Sequence, residues 1–269
     1  MKRLLCCFCG LLVATVGVRA TPLFSDDFTY LNGNLVGQGP WPWAQQGTVA
    51  TSPVQVTGGK AMLGPTGQDV NAALSSPFTL VDGTSFYIGA TIDVSAANAT
   101  GDYFLHWSPA AGSTIFISRI EARSSGSGYQ LGYVETSGTG ASLTWGTEVL
   151  TFNQDYRMVV AYNVVGLGAN NDTADMYVGT GFTDLLVQGN NTVYLHDTWD
   201  SATTESSTLG AINLRQGTTA SAPTLSVDDL GVATTFAEAA TYTPVPEPTS
   251  LSLLGGFGLL AWYISLRRR

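Results

Sequence analysis

Cysteine is nearly missing from this chain of 269 residues, and the three present, Cys6, Cys7 and Cys9, all fall in its first ten positions. Lysine occurs only as Lys2 and Lys60, and charged residues make up 12% of the whole. Between Thr21 and Val245 there are 19 acids against five bases (Lys60, Arg119, Arg123, Arg157 and Arg215), a balance of −14. No basic stripe exists there, which excludes the counterion-releasing grip on phosphates that nucleic acid binding requires. The sequence contains no Gly-x-Ser-x-Gly elbow and no phosphate-binding loop. It also has no repeat at a fixed period, which disfavours solenoids and propellers. Abundant Gly, Ser, Thr and Asn argue against a helix-rich fold.

The N-terminus has the layout of a secretory signal. Met1-Lys2-Arg3 is cationic, Leu4 to Val18 is apolar, and Val18-Arg19-Ala20 suits a signal peptidase cutting after Ala20. All three cysteines lie inside this segment and none in a lipoprotein context, so acylation is not expected. The exported product then has no disulfide, no thiol nucleophile and no thiolate metal site. At the other end, Thr249 to Leu266 is uncharged over 18 residues and precedes Arg267-Arg268-Arg269. As a helix it would span about 27 Å, close to the hydrocarbon thickness of a bilayer. The terminal arginines would stay cytoplasmic and leave the body outside.

Val245-Pro246-Glu247-Pro248 stands just before this span. Pro-Glu-Pro, an apolar span and a terminal Arg cluster together resemble the PEP-CTERM sorting signal of Gram-negative bacteria. The resemblance implies recognition by exosortase, a membrane-embedded cysteine transpeptidase, with cleavage near Pro246, Glu247 and Pro248. The two prolines hold the segment extended and stop the helix from propagating into it. The span then acts as an address, in the manner of a removable anchor signal. The expected course is an intermediate anchored in the inner membrane, followed by the cell surface or the extracellular matrix.

The body, residues 21–236, carries short period-two runs separated by Gly, Asn, Ser and Pro clusters, with residues 237–245 expected as linker. Phe86–Val94, Tyr103–Trp107, Thr114–Ile120, Tyr129–Glu135, Tyr156–Tyr162, Val193–Leu195, Ala211–Leu214 and Leu225–Val232 read as strands. About ten strands with no amphipathic helix predict an all-β, antiparallel jelly-roll sandwich, to which the C-terminal transmembrane helix is added. The landmarks Phe24–Tyr30, Asn32–Leu35, Gly39–Trp43, Tyr156–Val164, Asn170–Asp175, Met176–Val178 and Leu225–Val232 resemble the concanavalin A-like lectin/glucanase sandwich in its LamG-like form. That resemblance implies a closing strand lying beside the first.

Glucanases of that fold carry Glu-x-Asp-x-x-Glu on one strand, which aims carboxylates into a cleft about 5–5.5 Å apart. This chain has no such spacing: Glu121, Glu135 and Glu148 stand alone, and Asp228-Asp229 should point to opposite faces of a strand. Catalysis is therefore not expected. His106 reads as a packed residue, and His196 lacks a partner at metal-ligand spacing. Asp26, Asp27, Asp228 and Asp229 are candidate calcium ligands if the first and last strands meet, since calcium takes 6–8 oxygens. Oxygen-rich Asn170–Asp175 is explained by hairpin-turn chemistry. Trp41-Pro-Trp43, in a Pro/Gly-rich loop, supplies the candidate glycan contacts Trp41 and Trp43, against packing as the competing role. The leading expectation is a non-catalytic structural or glycan-binding surface protein, with signal peptidase, exosortase and exopolysaccharide as partners. The alternatives are a glycoside hydrolase or lyase and a protein-binding adhesin.

Overall fold

The computed structural model describes residues 22–47, 51–136, 141–185, 191–201 and 205–241. The predicted signal peptide, the sorting motif, the membrane span and its arginines lie outside these residues. Five short strands open the fold: β1 (Phe24–Asp26), β2 (Gly33–Asn34), β3 (Ala44–Gln46), β4 (Gln55–Thr57) and β5 (Lys60–Leu63). Then come β6 (Asp69–Thr79), β7 (Ser85–Ala96), β8 (Asp102–Ser108), β9 (Ile117–Ser125), β10 (Gly128–Thr136) and β11 (Thr144–Trp145). The last strands are β12 (Asp155–Asn163), β13 (Thr173–Gly179), β14 (Leu195–Thr198), β15 (Thr208–Leu214) and β16 (Thr224–Ala233). A short helix, α1 (Phe236–Ala240), follows.

These strands form two sheets in which every pairing is antiparallel. One is nine-stranded, ordered β14-β13-β12-β7-β16-β5-β4-β2 with β1 also on β16; the other is seven-stranded, ordered β11-β10-β9-β8-β15-β6-β3. The expected all-β sandwich is observed. The first strand does return to the last: Phe24 pairs with Val232 and Asp26 with Leu230. Between the sheets Phe86, Trp107 and Tyr162 form a continuous aromatic stack, with centroids 3.7 Å apart for Phe86–Trp107 and 4.9 Å for Phe86–Tyr162. Alternation explains why these strands form: Phe86, Ile88, Ala90, Ile92 and Val94 are all fully buried.

Three features depart from the sequence expectations. Strand β9 begins at Ile117 and β14 at Leu195, so Thr114–Phe116 and Val193–Tyr194 lie outside the strands expected there. Helix α1 lays Phe236, Ala239 and Ala240 onto Val159, Ala161 and Tyr177 on the outside of the nine-stranded sheet, so the packed body runs past the boundary expected at 236. Its N-cap is Thr235, whose hydroxyl accepts from the Glu238 backbone N–H at 3.3 Å, while Thr235 Oγ1 donates to the Glu238 carboxylate at 2.8 Å. Finally, a register shift between Asp228 and Gly231, with Asp229 at φ 46°, breaks the alternation of β16. Asp228 and Asp229 consequently both line one cavity, with Lys60, Thr91, Asp155 and Arg157, rather than opposite faces.

The turn Asn170–Asp175 is held by a carboxylate from outside it. Glu205 accepts from the backbone N–H groups of Gly168, Asn171 and Asp172, at 2.8, 2.6 and 2.9 Å. Asp172 in turn accepts from Tyr162 Oη at 2.6 Å.

Candidate functional site

The outer face of the seven-stranded sheet gathers three of the five bases of the body, Arg119, Arg123 and Arg215. Alternation on β9 sends Ile120 and Ala122 inward to full burial and leaves Arg119, Glu121 and Arg123 on the outside. Register then assembles rows across strands. Glu121 stands opposite Tyr103 on β8 and Gly132 on β10, and Gly132 stands opposite Trp145 on β11. In the next row His106 on β8 is opposite Asn213 on β15, which is opposite Asn71 on β6.

The charges on this face are interleaved. Arg215 pairs with Asp102 at 2.7 Å, lies 4.0 Å from the Asp69 carboxylate, and sits over the Tyr103 ring at 4.0 Å. Arg119 lies 5.1 Å from the same ring and donates to Thr136 O at 2.9 Å. Arg123 stacks over the Trp145 indole at 4.3 Å and donates to Gln130 Oε1 at 2.9 Å. Gly132 and Gly101 make room for that indole, since a Cβ on either would strike it. Three guanidinium groups and three carboxylates (Asp69, Asp102, Glu121) thus leave a nearly neutral surface dense in donors and acceptors.

Two groups here are electrostatically unusual. Burial pushes the Glu121 carboxyl up from 4.5 to about 7, with Arg119 opposing the rise and Asp102 adding to it. Burial, reinforced by Arg215 and Arg119, drives the His106 imidazole down to about 3, so it is neutral at physiological pH. A carboxyl kept out of water without a dedicated ion pair is a mark of functional sites, because it lowers stability.

Glu121 sets a pH dependence. Its folded value lies above its unfolded one, so the folded state binds the proton more tightly. Below about pH 4.5 the group is protonated in both states and has no effect. Stability falls as pH rises from about 4.5 to 7 and stays lower above that, by about 2–3 kcal/mol. In urea titrations across this range, Glu121→Gln should match the wild type at pH 4 and exceed it at pH 8. Parallel profiles for the two proteins would refute the assignment.

The residues expected from sequence lie elsewhere. Trp43 is 2% exposed, so it is a core side chain and not a glycan contact; its indole meets Phe24 and Phe28 at 5.8 and 5.9 Å. Trp41 is half-buried against the same core, 4.7 Å from Phe24. The short Pro/Gly loop folds both indoles inward. Asp26 is buried and directs its carboxylate at Trp43, Tyr30 and Phe28, and Asp27 accepts from the Thr29 N–H and hydroxyl. The Asp26 carboxylate is thus filled by protein donors, and no group of three or more His, Cys, Asp or Glu that could hold a metal occurs among the described residues. Asp228 and Asp229 do share a cavity, where burial and Asp229 raise Asp228 to about 6. His196 is exposed and bonded to Asp175 at 2.7 Å. His106 is packed as expected, but against the outer face. Trp145, one aromatic among several in the sequence, reaches this face together with Tyr103. The signal that could have marked the face is Arg119-x-Glu121-x-Arg123, a charged alternation in a body with only five bases.

Fold and face together define an antiparallel β-sandwich protein with one polar sheet surface. Residues 244–269 match the PEP-CTERM protein-sorting motif, which takes in Pro246, Glu247, Pro248 and Arg267–Arg269 and implies export and sorting by exosortase. Among the described residues no helix is long and apolar enough to cross a membrane. No curated protein matches the chain. Among solved structures it is similar to the CBM2 module of the evolved Dit protein of Lactobacillus casei BL23 phage J-1, at 11% identity and TM-score 0.49, covering 78% of this chain and 94% of that one. It is similar to the alginate lyase Aly36B at 10% identity and TM-score 0.48, covering 80% and 98%. An endo-1,3-β-glucanase from Streptomyces sioyaensis gives 14% identity and TM-score 0.48, covering 79% and 95%. These likenesses concern strand layout and transfer no ligand to this chain.

Proposed function

We propose that this is an exported cell-surface or matrix protein whose seven-stranded sheet presents a non-catalytic glycan-binding face. The observation that supports the reading is the concentration of Arg119, Arg123 and Arg215 with Tyr103 and Trp145 on one sheet surface of a body that is otherwise acidic. Its charges are balanced, so the surface offers hydrogen bonds and ring faces rather than net charge. That chemistry suits the hydroxyls and C–H faces of a polysaccharide better than phosphate. The unit of recognition is a short run of sugars laid across the strands.

The test is retention of the full-length protein, in detergent, on gels containing the host exopolysaccharide or a neutral β-glucan. Trp145→Ala and Arg123→Ala should each weaken retention about tenfold, equivalent to ~1.4 kcal/mol. Trp41→Ala should retain wild-type affinity. Equal retention of all variants, or none by the wild type, overturns the proposal. A second reading, cleavage of the bound glycan, is favoured by the Glu121 carboxyl at about 7, within reach of proton exchange at neutral pH. Release of reducing or unsaturated ends that is lost in Glu121→Gln would establish it.

A further inference from the structure

His106 is 2% exposed, and neither ring nitrogen has a hydrogen-bond partner among the described residues. Leaving such atoms dry is costly, because each gives up its bonds to water. Its neighbours Leu105 and Trp107 point into the core between the sheets, so alternation turns the imidazole outward. It lies on the outer face, 5.4 Å from the Tyr103 ring and 4.6 Å from Phe116. Beside it, Asn213 is fully buried; its Nδ2 donates to Ser108 Oγ at 3.0 Å and to His106 O at 3.3 Å, while its Oδ1 has no described partner. Unsatisfied acceptors and donors are thus grouped in one place.

Phe116 covers them. It is half-buried, lies outside the core cluster, and ends the loop 109–116 that joins β8 to β9. Most of that loop is exposed, including Ile115 at 51%. Its turn uses Gly112 at φ 72°, closed by Ser113 N–H donating to Ala110 O at 3.2 Å. Gln46 Nε2 donates to Ser113 O at 3.0 Å and ties the loop to the sheet from β3. Ser108 Oγ also donates to Ala110 O at 2.9 Å, so two side-chain bonds and one ring make up the closure.

We infer that His106 and Asn213 form a buried subsite for sugar hydroxyls, shuttered by Phe116 and opened by movement of the loop 109–116. The inference rests on the glycan-binding reading of this face. A neutral imidazole offers one donor and one acceptor, and the Asn213 carbonyl adds an acceptor, the complement of adjacent hydroxyl groups on an uncharged sugar. The nearby Arg215 is already paired with Asp102. Arg119, the other guanidinium near His106, donates to Thr136 O and keeps an Nε without a partner among the described residues, so the ligand proposed is a neutral pyranose whose hydroxyls can also meet that donor. A shuttered site binds with an apparent affinity reduced by the open fraction.

This gives a quantitative test on the full-length chain in detergent, using diethyl pyrocarbonate labelling read by mass spectrometry and binding of a neutral β-glucan tetrasaccharide. His196, which is exposed, is the internal reference. His106 should label at least tenfold more slowly than His196 in the wild type. Phe116→Ala should accelerate His106 labelling and tighten tetrasaccharide binding by a similar factor, because both report the open fraction. His106→Gln and His106→Asn should each weaken binding about tenfold, and an anionic galacturonate tetramer should bind no better than the neutral one. Fast labelling of His106 in the wild type overturns the shutter. Unchanged binding in both His106 variants, with loss in Trp145→Ala, overturns the subsite and leaves the glycan-binding face standing. Absence of tetrasaccharide and exopolysaccharide binding in every variant overturns both.

Discussion

Arg157→Leu should lower the unfolding free energy by about 3–5 kcal/mol, the range seen when one partner of a buried charged network is removed. Arg157 is 1% exposed on β12, opposite Thr91 of β7 and Gly179 of β13. Its guanidinium donates to the carbonyls of Ala239 and of Ala240, the latter at 3.2 Å, and to Asp229 O at 2.8 Å. Two of these carbonyls belong to the end of α1, where helical acceptors lack partners and the dipole favours a cation. Burial pulls Arg157 down to about 10, which still leaves it charged at neutral pH. Gly89 lets the helix lie this close, since a Cβ there would strike Ala239 O. A helix of five residues has no stability of its own. Without the guanidinium, α1 should leave the sheet and uncover Val159, Ala161 and Tyr177. Urea unfolding should therefore shift, and limited proteolysis should cut near Phe236 in the variant before it cuts the wild type. Arg157→Lys should fall between, because one ammonium cannot reach all three carbonyls. A wild-type urea midpoint for Arg157→Leu refutes the clamp. The clamp also sets geometry: the described chain ends on the outside of the nine-stranded sheet, the side of the sandwich opposite the candidate site.

Much of this framework is legible in the sequence, where alternation is strict. While β8 and β16 show shorter runs on either side of a bulge, β7, β10 and β12 announce themselves because each alternates aromatic or aliphatic residues with others over seven or more positions. β6 does not: its Asp69–Thr79 stretch runs through Asn71, Ala72, Ala73, Ser75, Ser76 and Pro77, too small and too polar for a clean period. Helix α1 is equally silent, because Phe-Ala-Glu-Ala-Ala is shorter than a periodicity and is held by a guanidinium 82 residues away. The candidate site was hidden for a related reason. Glu121 is isolated along the chain, and its neighbours Tyr103 and Gly132 meet it only through strand register. Bulges add a second layer: shifts between Tyr103 and Leu105 and between Asp228 and Gly231 alter which side chains share a face. The tail is the opposite case. Its chemistry depends on local order of proline, apolar residues and arginine, and local order is what a sequence displays.

Asp26→Ala should be nearly as damaging as loss of Arg157, at about 3–4 kcal/mol, or roughly 10 °C in Tm for a domain of this size. The Asp26 side chain is 3% exposed and each oxygen is in use. Oδ1 accepts from the Phe28 N–H at 2.8 Å and from Tyr30 Oη at 2.7 Å, and Oδ2 accepts from Trp43 Nε1 at 2.7 Å. The bond to Phe28 matters for the backbone, since Phe28 sits at φ 50°, a region bulky side chains avoid. Burial raises the Asp26 carboxyl, and the bonds from Trp43, Tyr30 and Phe28 oppose that rise. Alanine strands three donors and releases the Trp43 indole, so tryptophan emission should shift to the red along with the lower Tm. Asp26→Asn keeps the shape but turns an amide N–H₂ toward one of those donors, and should recover only part of the loss. Chelation separates this account from a calcium site at the same residues. With protein donors filling the carboxylate, EDTA should leave the Tm of the wild type unchanged. A fall in Tm with EDTA that disappears in Asp26→Ala would mean that the carboxylate holds a cation and that the indole bond is its consequence.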